Sequence, residues 1–177
     1  DAYAVAKIAG IKLCESYNEQ YKTNYKCLLP CNAFGPNDNY DEKNSHFLPA
    51  LIHKIHKIKI NKTNKLVLWG NGKAKREFVH VDDLAAACEY FMKKKTKHSL
   101  INIGTGKDYK IDYYANFISK KILNKKVKIK YDNNKPNGVK RKVLDISIAR
   151  KYGWKPELNL KKSIIKTYNS YLTENIK

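Results

Sequence analysis

Arginine is nearly absent from this chain: 33 of its 36 basic side chains are Lys, and only Arg76, Arg141 and Arg150 carry a guanidinium. The planar fork that reads bases and holds phosphate in two-point contact is therefore scarce. Acidic residues are also few, 16 in 177 positions, which leaves a formal charge of +20. Such a charge invites a nucleic-acid reading, because clustered cations release counterions from phosphates. The lysines, however, are spread along the whole chain at spacings that suit solvent-facing positions. Nucleic acid is not expected as the primary partner, although a basic surface still attracts anionic small molecules. Long hydrophobic runs are missing too. No stretch approaches the roughly 20 apolar residues that span a bilayer, and no membrane partner is expected. The N-terminus has no basic region followed by an apolar core, and no Met opens it. It leads straight into helix-forming sequence and reads as a piece of something longer.

Cysteine pairing is lacking as well. Cys14, Cys27, Cys31 and Cys88 form no Cys-x-x-Cys pair, and their spacing matches no zinc or disulfide framework. Cys14 falls on the apolar stripe of the first helix, and Cys88 follows Ala85-Ala86-Ala87, so both are expected to be buried. This usage points to a reducing compartment and a cytoplasmic location. His53 and His56 share a helical face but have no third ligand nearby in sequence. They are read as helix-surface histidines, and no metal is expected. A glycine-rich dinucleotide fingerprint is absent: the only candidate, Gly104-Thr105-Gly106, has Tyr109 at the third glycine position. It is read as a strand-to-helix turn.

What is present is alternation. Ala2, Val5, Ala6, Ala9, Leu13 and Tyr17 recur at helical period over residues 2 to about 22. Tyr25 to Pro30 reads as a strand, and 32–39 as a loop dense in turn formers. A helix is expected over about 45–58, then a strand over 65–69. Gly70-Asn71-Gly72 carries an Asn-Gly hairpin signal before a returning extended segment, 76–81. Asp82 or Asp83 is expected to cap a helix reaching about Lys95. Strand 100–103, helix 111–123, strand 127–131, a loop at 135–138, and helices over 146–152 and 160–172 complete the series. Strands alternating with helices argue an α/β architecture, and 42% hydrophobic residues suffice for a globular core.

Tyr3 and Lys7 lie four apart, hence on one helical face. An ammonium beside a phenol favours the phenolate, while the hydroxyl can still protonate a carbonyl oxygen. Spacing alone proves nothing, since Tyr90/Lys94 and Tyr131/Lys135 share it and about two such matches arise by chance at this composition. The surroundings carry more weight. The run from Tyr3 to Asn18 resembles the active-site helix of GDP-L-fucose synthases, the NADP-dependent 3,5-epimerase/4-reductases of GDP-4-keto-6-deoxy-D-mannose. The resemblance continues in order through Gly35-Pro36-Asn37-Asp38-Asn39, Asn44-Ser45-His46, Leu48-Pro49-Ala50-Leu51 and Trp69-Gly70-x-Gly72. It then runs through Arg76-Glu77-Phe78-Val79-His80-Val81-Asp82-Asp83-Leu84, Ile101 to Gly106, Lys135-Pro136, Arg141-Lys142, Leu144-Asp145 and Gly153-Trp154-Lys155-Pro156. Pieces such as His80-Val81-Asp82-Asp83 recur across extended sugar-nucleotide reductases. Asn44-Ser45-His46 with the first helix points to the fucose synthases themselves.

The resemblance implies the C-terminal part of an extended Rossmann-type reductase plus a small α/β substrate-binding lobe. Residues 1–36 would end the dinucleotide-binding domain, and 37–177 would be mainly lobe, with about 77–106 returning to the Rossmann sheet. Tyr3 would protonate the C4 oxygen, and Lys7 would bind the nicotinamide ribose and tune Tyr3. Pro30, Cys31, Asn32 and Ala33, together with His46, would lie along NADP, and His46 would act as acid in epimerisation. Lys54, Trp69 and Arg76 would contact the GDP-sugar, and two copies would pair through the Tyr-Lys helix. Three positions depart from the family pattern: Lys54 stands where Arg is usual, Cys31 where Thr is, and Asn137 where Asp is. The family's catalytic Ser and the Cys that serves as epimerisation base precede the Tyr helix and are not in this chain, so the fragment alone is expected to be inactive. The rival readings are another sugar-nucleotide epimerase or dehydratase of the superfamily, and a basic nucleic-acid-binding module on a degenerate reductase scaffold.

Overall fold

A computed structural model describes residues 1–41 and 44–175. Helix α1 (Ala2–Tyr21) ends at Lys22, which adopts the left-handed conformation at φ 55°. Asn18 then fixes the return of the chain: its Oδ1 accepts Tyr25 N–H at 2.7 Å, and its Nδ2 donates to Tyr25 O at 2.9 Å. The chain continues as β1 (Cys27–Pro30), β2 (Asn32–Phe34), α2 (Phe47–Ile60), β3 (Lys65–Trp69), β4 (Lys75–His80) and α3 (Val81–Lys93). Strands β5 (Leu100–Ile103) and β6 (Asp108–Lys110), helix α4 (Ile111–Leu123), strands β7 (Lys128–Asp132) and β8 (Arg141–Lys142), and helices α5 (Ser147–Lys151) and α6 (Leu160–Asn175) follow.

Most pairings are parallel, as an α/β chain requires. β1 runs beside β5, β2 beside the C-terminal half of β4, and β3 beside β7. The N-terminal half of β4 takes β6 antiparallel and β8 parallel. The expected β3–β4 hairpin is therefore incorrect. Gly70 and Gly72 do turn the chain, both at positive φ, but β3 pairs with β7 and β4 diverges into another sheet. The turn is wedged between neighbours: a Cβ on Gly72 would strike the Asp112 carboxylate, and one on Gly70 the Asn137 side chain.

Two cores form. The larger packs Leu48, Leu51, Ile52 and Ile55 of α2 against Leu66 and Leu68, Tyr114 and Ile118 of α4, and Ile164 and Tyr168 of α6. Each fully buried Leu or Ile contributes about 1.5–3 kcal/mol relative to exposure. The smaller gathers Ala87 and Phe91 of α3, Ile101 and Ile103 of β5, Ala149 and Trp154. Buried Asp83 links it to the segment preceding α6 by accepting Glu157 N–H at 2.9 Å. The N-cap of α3 is His80, not Asp82 or Asp83: its Nδ1 accepts Asp82 N–H at 3.2 Å. Burial, with Lys166 adding to it, lowers the His80 pKa and so favours the neutral ring that can accept.

Two burial expectations are also corrected. Cys88 is exposed, because the Ala85-Ala86-Ala87-Cys88 run winds around α3 and only Ala87 reaches the core. None of the 20 residues of α1 is buried; Val5, Ile8 and Leu13 are about 60% exposed. Segment 32–39, read as loop, begins with strand β2.

Candidate active site

A cavity of about 650 Å³ opens beside the larger core, whose Leu51, Leu68 and Phe78 help to line it. Its walls come from distant parts of the chain. Asn32 and Ala33 enter from β2, and Ser45, His46, Phe47 and Lys54 from the start and first turns of α2. Leu68 and Trp69 end β3, Arg76 and Phe78 alternate along β4, and Pro136, Asn137 and Gly138 close one side. The floor is apolar and the rim cationic, a combination suited to a ligand with a flat or apolar body and an anionic part.

The rim is held by contacts that can be traced. Arg76 Nη1 donates to Lys75 O at 2.8 Å and to Val139 O at 2.6 Å, and Tyr114 Oη donates to Arg76 O at 2.9 Å. The 136–139 loop is thus tied to β4 on one side. Asn137 Oδ1 accepts Asn71 N–H at 2.7 Å, which ties it to the β3–β4 turn on the other. Trp69 is 57% exposed at the cavity edge, with Lys135 Nζ 5.3 Å from its ring centroid. A core-filling role for Trp69 is excluded by that exposure. His46 is the N-cap residue of α2, and its side chain makes no cap bond, which leaves the imidazole to the cavity. Asp38 lies close enough to be influenced by His46, although burial, the larger effect, pushes its carboxyl upward.

The structure brings together six of the ten residues singled out in the sequence: Asn32, Ala33, His46, Lys54, Trp69 and Arg76 line one cavity. Tyr3, Lys7, Pro30 and Cys31 do not line it. Tyr3 and Lys7 are nevertheless adjacent, with Lys7 Nζ 5.4 Å from the Tyr3 ring centroid. Lys94 approaches Tyr90 in the same way at 5.7 Å, so the contact itself follows from helical spacing. The hydroxyls separate the pairs. Tyr90 donates to Tyr152 O at 2.6 Å and Tyr131 to Asp112 at 2.7 Å, whereas Tyr3, 72% exposed, makes no hydrogen bond among the described residues. Cys31 is buried; burial first, then the negative charge of Glu77, pushes its thiol up to about 12. That thiol stays protonated and inert at neutral pH.

Sequence reasoning did not single out Ser45, Phe47, Leu68, Phe78 or Ile111 as cavity residues. Ser45 Oγ is shielded and has no hydrogen-bond partner among the described residues, and its place beside His46 was the available signal. The pair His53 and His56 pack against α6, with Nδ1 atoms 2.8 and 2.9 Å from the hydroxyls of Tyr171 and Tyr168; His56 is buried rather than on the surface. Among the described residues no three His, Cys, Asp or Glu side chains gather as a metal site, and no helix is long and apolar enough to cross a membrane.

Comparison with known proteins gives the family. The sequence model of the NAD dependent epimerase/dehydratase family matches residues 1–104. The chain is 41% identical over 181 residues to a GDP-L-fucose synthase of Escherichia coli, covering 97% of this chain and 56% of that protein. It is 40% identical over 176 residues to a GDP-L-colitose synthase of Yersinia pseudotuberculosis, covering 98% of this chain and 57% of the other. Among solved structures, a GDP-D-glycero-L-gluco-heptose synthase from Campylobacter jejuni, crystallised in the presence of NADPH, superposes with a TM-score of 0.80 at 32% identity. That superposition covers 96% of this chain and 59% of that one. The chain spans about half the length of the curated relatives it matches.

Proposed function

The chain belongs to the NAD dependent epimerase/dehydratase family and shares its Rossmann-type α/β fold; from that premise we propose that its parent enzyme converts GDP-4-keto-6-deoxy-D-mannose to GDP-L-fucose with NADPH. The observation that carries the reading is the convergence of His46 and Lys54 from α2 and its N-cap, Trp69 of β3 and Arg76 of β4, three separate stretches of sequence, on one cavity. Trp69 offers an exposed ring face, while Lys54 and Arg76 supply positive charge for a diphosphate. Residues 1–36 and about 77–106 form the cofactor side, and the remainder forms the sugar-binding lobe. The smaller core lies mostly within the first set and the larger mostly within the second, which supports this division.

The residues present suit the nicotinamide end of NADP. Lys7 sits against Tyr3, whose hydroxyl is uncommitted, and residues 30–33 lead from β1 to the cavity. NADPH supplies the hydride when bound. Tyr3 donates its phenolic proton to the C4 oxygen as negative charge develops there, and Lys7 stabilises the phenolate left behind. During epimerisation the C4 ketone acidifies the hydrogens on C3 and C5; a base supplied by the part of the enzyme outside this chain removes each, and His46 returns a proton to the opposite face of the ring. Four unbridged cysteines support a reducing, cytoplasmic setting. The exposed apolar residues of α1 support pairing of two copies through that helix.

A related GDP-sugar epimerase or reductase is the second reading, supported by the likeness to colitose and heptose enzymes. Incubating the intact enzyme with GDP-4-keto-6-deoxy-D-mannose and NADPH and identifying the sugar separates them. GDP-L-fucose is the expected product; a 4-epimer, a dehydrated sugar or unchanged substrate would refute the assignment.

A further inference from the structure

Strand β4 has two faces with different surroundings. Arg76 and Phe78 line the cavity, and the two-residue period of a strand sends Glu77, between them, to the opposite side. There Glu77 is 0% exposed. Its Oε1 accepts the backbone N–H groups of Thr105 and Gly106, each at 2.6 Å, and the Thr105 hydroxyl at 3.3 Å. Its Oε2 accepts Leu144 N–H at 2.7 Å. The Glu77 backbone oxygen accepts from Asn32 Nδ2 at 2.9 Å, so the cavity-lining amide of Asn32 is held from behind by the same residue. Gly104 is required for this approach, because a Cβ there would collide with Glu77 Oε1.

A buried carboxylate is costly unless its lone pairs are met by donors, and here backbone donors from two separate segments converge on it. The turn after β5 and the stretch leading into α5 come together at Glu77, directly behind two cavity residues. We propose that Glu77 is a positioning residue, whose carboxylate clamps these segments to β4 and thereby fixes Arg76 and Asn32 at the wall of the nucleotide-sugar cavity. The inference rests on the assignment of that cavity to a GDP-sugar. Replacement by Gln tests the carboxylate with little change of shape, since one oxygen becomes an NH2 that meets either the Leu144 N–H or the Thr105 and Gly106 N–H groups, donor against donor.

The test is a GDP titration of this chain followed by Trp69 fluorescence, with the far-UV circular dichroism of each variant recorded alongside. Trp154, the second tryptophan, is buried in the other core. Glu77→Gln should retain its helical signal, bind GDP roughly 10-fold more weakly, and exchange the Thr105 and Gly106 amide hydrogens faster. Faster exchange with unaltered GDP affinity in a folded variant would reduce Glu77 to a structural role and overturn the proposal. If Glu77→Gln does not fold, Glu77→Asp keeps both acceptors but withdraws them by one methylene, and the same weakening is expected. Should wild-type chain fail to bind GDP, the nucleotide-sugar reading falls, yet Glu77 is still tested. The Asn32 side-chain amide and Arg76 guanidinium NMR resonances should move in Glu77→Gln while remote signals stay; unmoved resonances would refute the positioning role.

Discussion

Helices α1 and α2 both carry apolar side chains at helical spacing, yet they meet opposite fates. In α2, Leu48, Leu51, Ile52 and Ile55 are at most 1% exposed, enclosed by β3, α4 and α6. In α1, Val5, Ile8 and Leu13 face solvent, and Tyr3 and Lys7 stand on the same open helix. The contrast separates two halves of one proposed reaction. The cavity proposed for the GDP-sugar is lined from α2, β2, β3, β4 and the 136–138 loop, whereas the pair proposed for reduction sits on a helix with no buried residue.

The largest expected effect breaks the α1 side. Tyr3→Phe in the intact enzyme removes the proton donor and should lower the rate of 4-keto reduction by about 10²–10⁴, measured by NADPH oxidation, with GDP affinity unchanged. Next, Ile55→Ala should destabilise this chain by about 2–5 kcal/mol in urea unfolding, while Ile8→Ala should shift it by no more than about 0.5 kcal/mol. Similar losses at the two positions would erase the contrast. On the cavity side, Arg76→Ala removes both a charge and the hold on Val139 O, and should weaken GDP binding by roughly 1.5–3 kcal/mol in a fluorescence titration.

The smallest effect is one of pH. Burial lowers the pKa of both His56 and His80 from the ordinary 6.5. A depressed histidine contributes stability that is complete above the unfolded pKa and is lost as pH falls through the folded one. The melting midpoint should therefore decline below about pH 6.5, before the carboxylates titrate, and His80→Gln should flatten that decline. A midpoint rising on acidification through this range would contradict the burial of these rings.

The sequence made long periodic elements legible. The α4 and β3 spans were read to the residue, because 13 helical positions, or a short apolar run closed by Gly70-Asn71-Gly72, mark their own ends. β6 and β8, three and two residues long, have no period to detect. The Asn-Gly turn was seen but its partner strands were not, since a turn fixes local reversal and says nothing of β7 arriving from far along the chain. Within the site, charged and aromatic residues such as Arg76 and Trp69 stood out by chemistry. Phe78 and Ile111 did not, because an apolar residue lining a cavity and one filling a core obey the same pattern. Exposure of α1 was equally hidden: a helical stripe announces that a partner surface is wanted, without showing whether it is present.

Calorimetry of this chain against GDP and, separately, NADPH tests the central contrast most directly. On the proposed assignment, the cavity should give saturable heat with GDP, and the exposed Tyr3–Lys7 side should give none with NADPH at micromolar concentration. Tight NADPH binding, or silence with GDP, would contradict it.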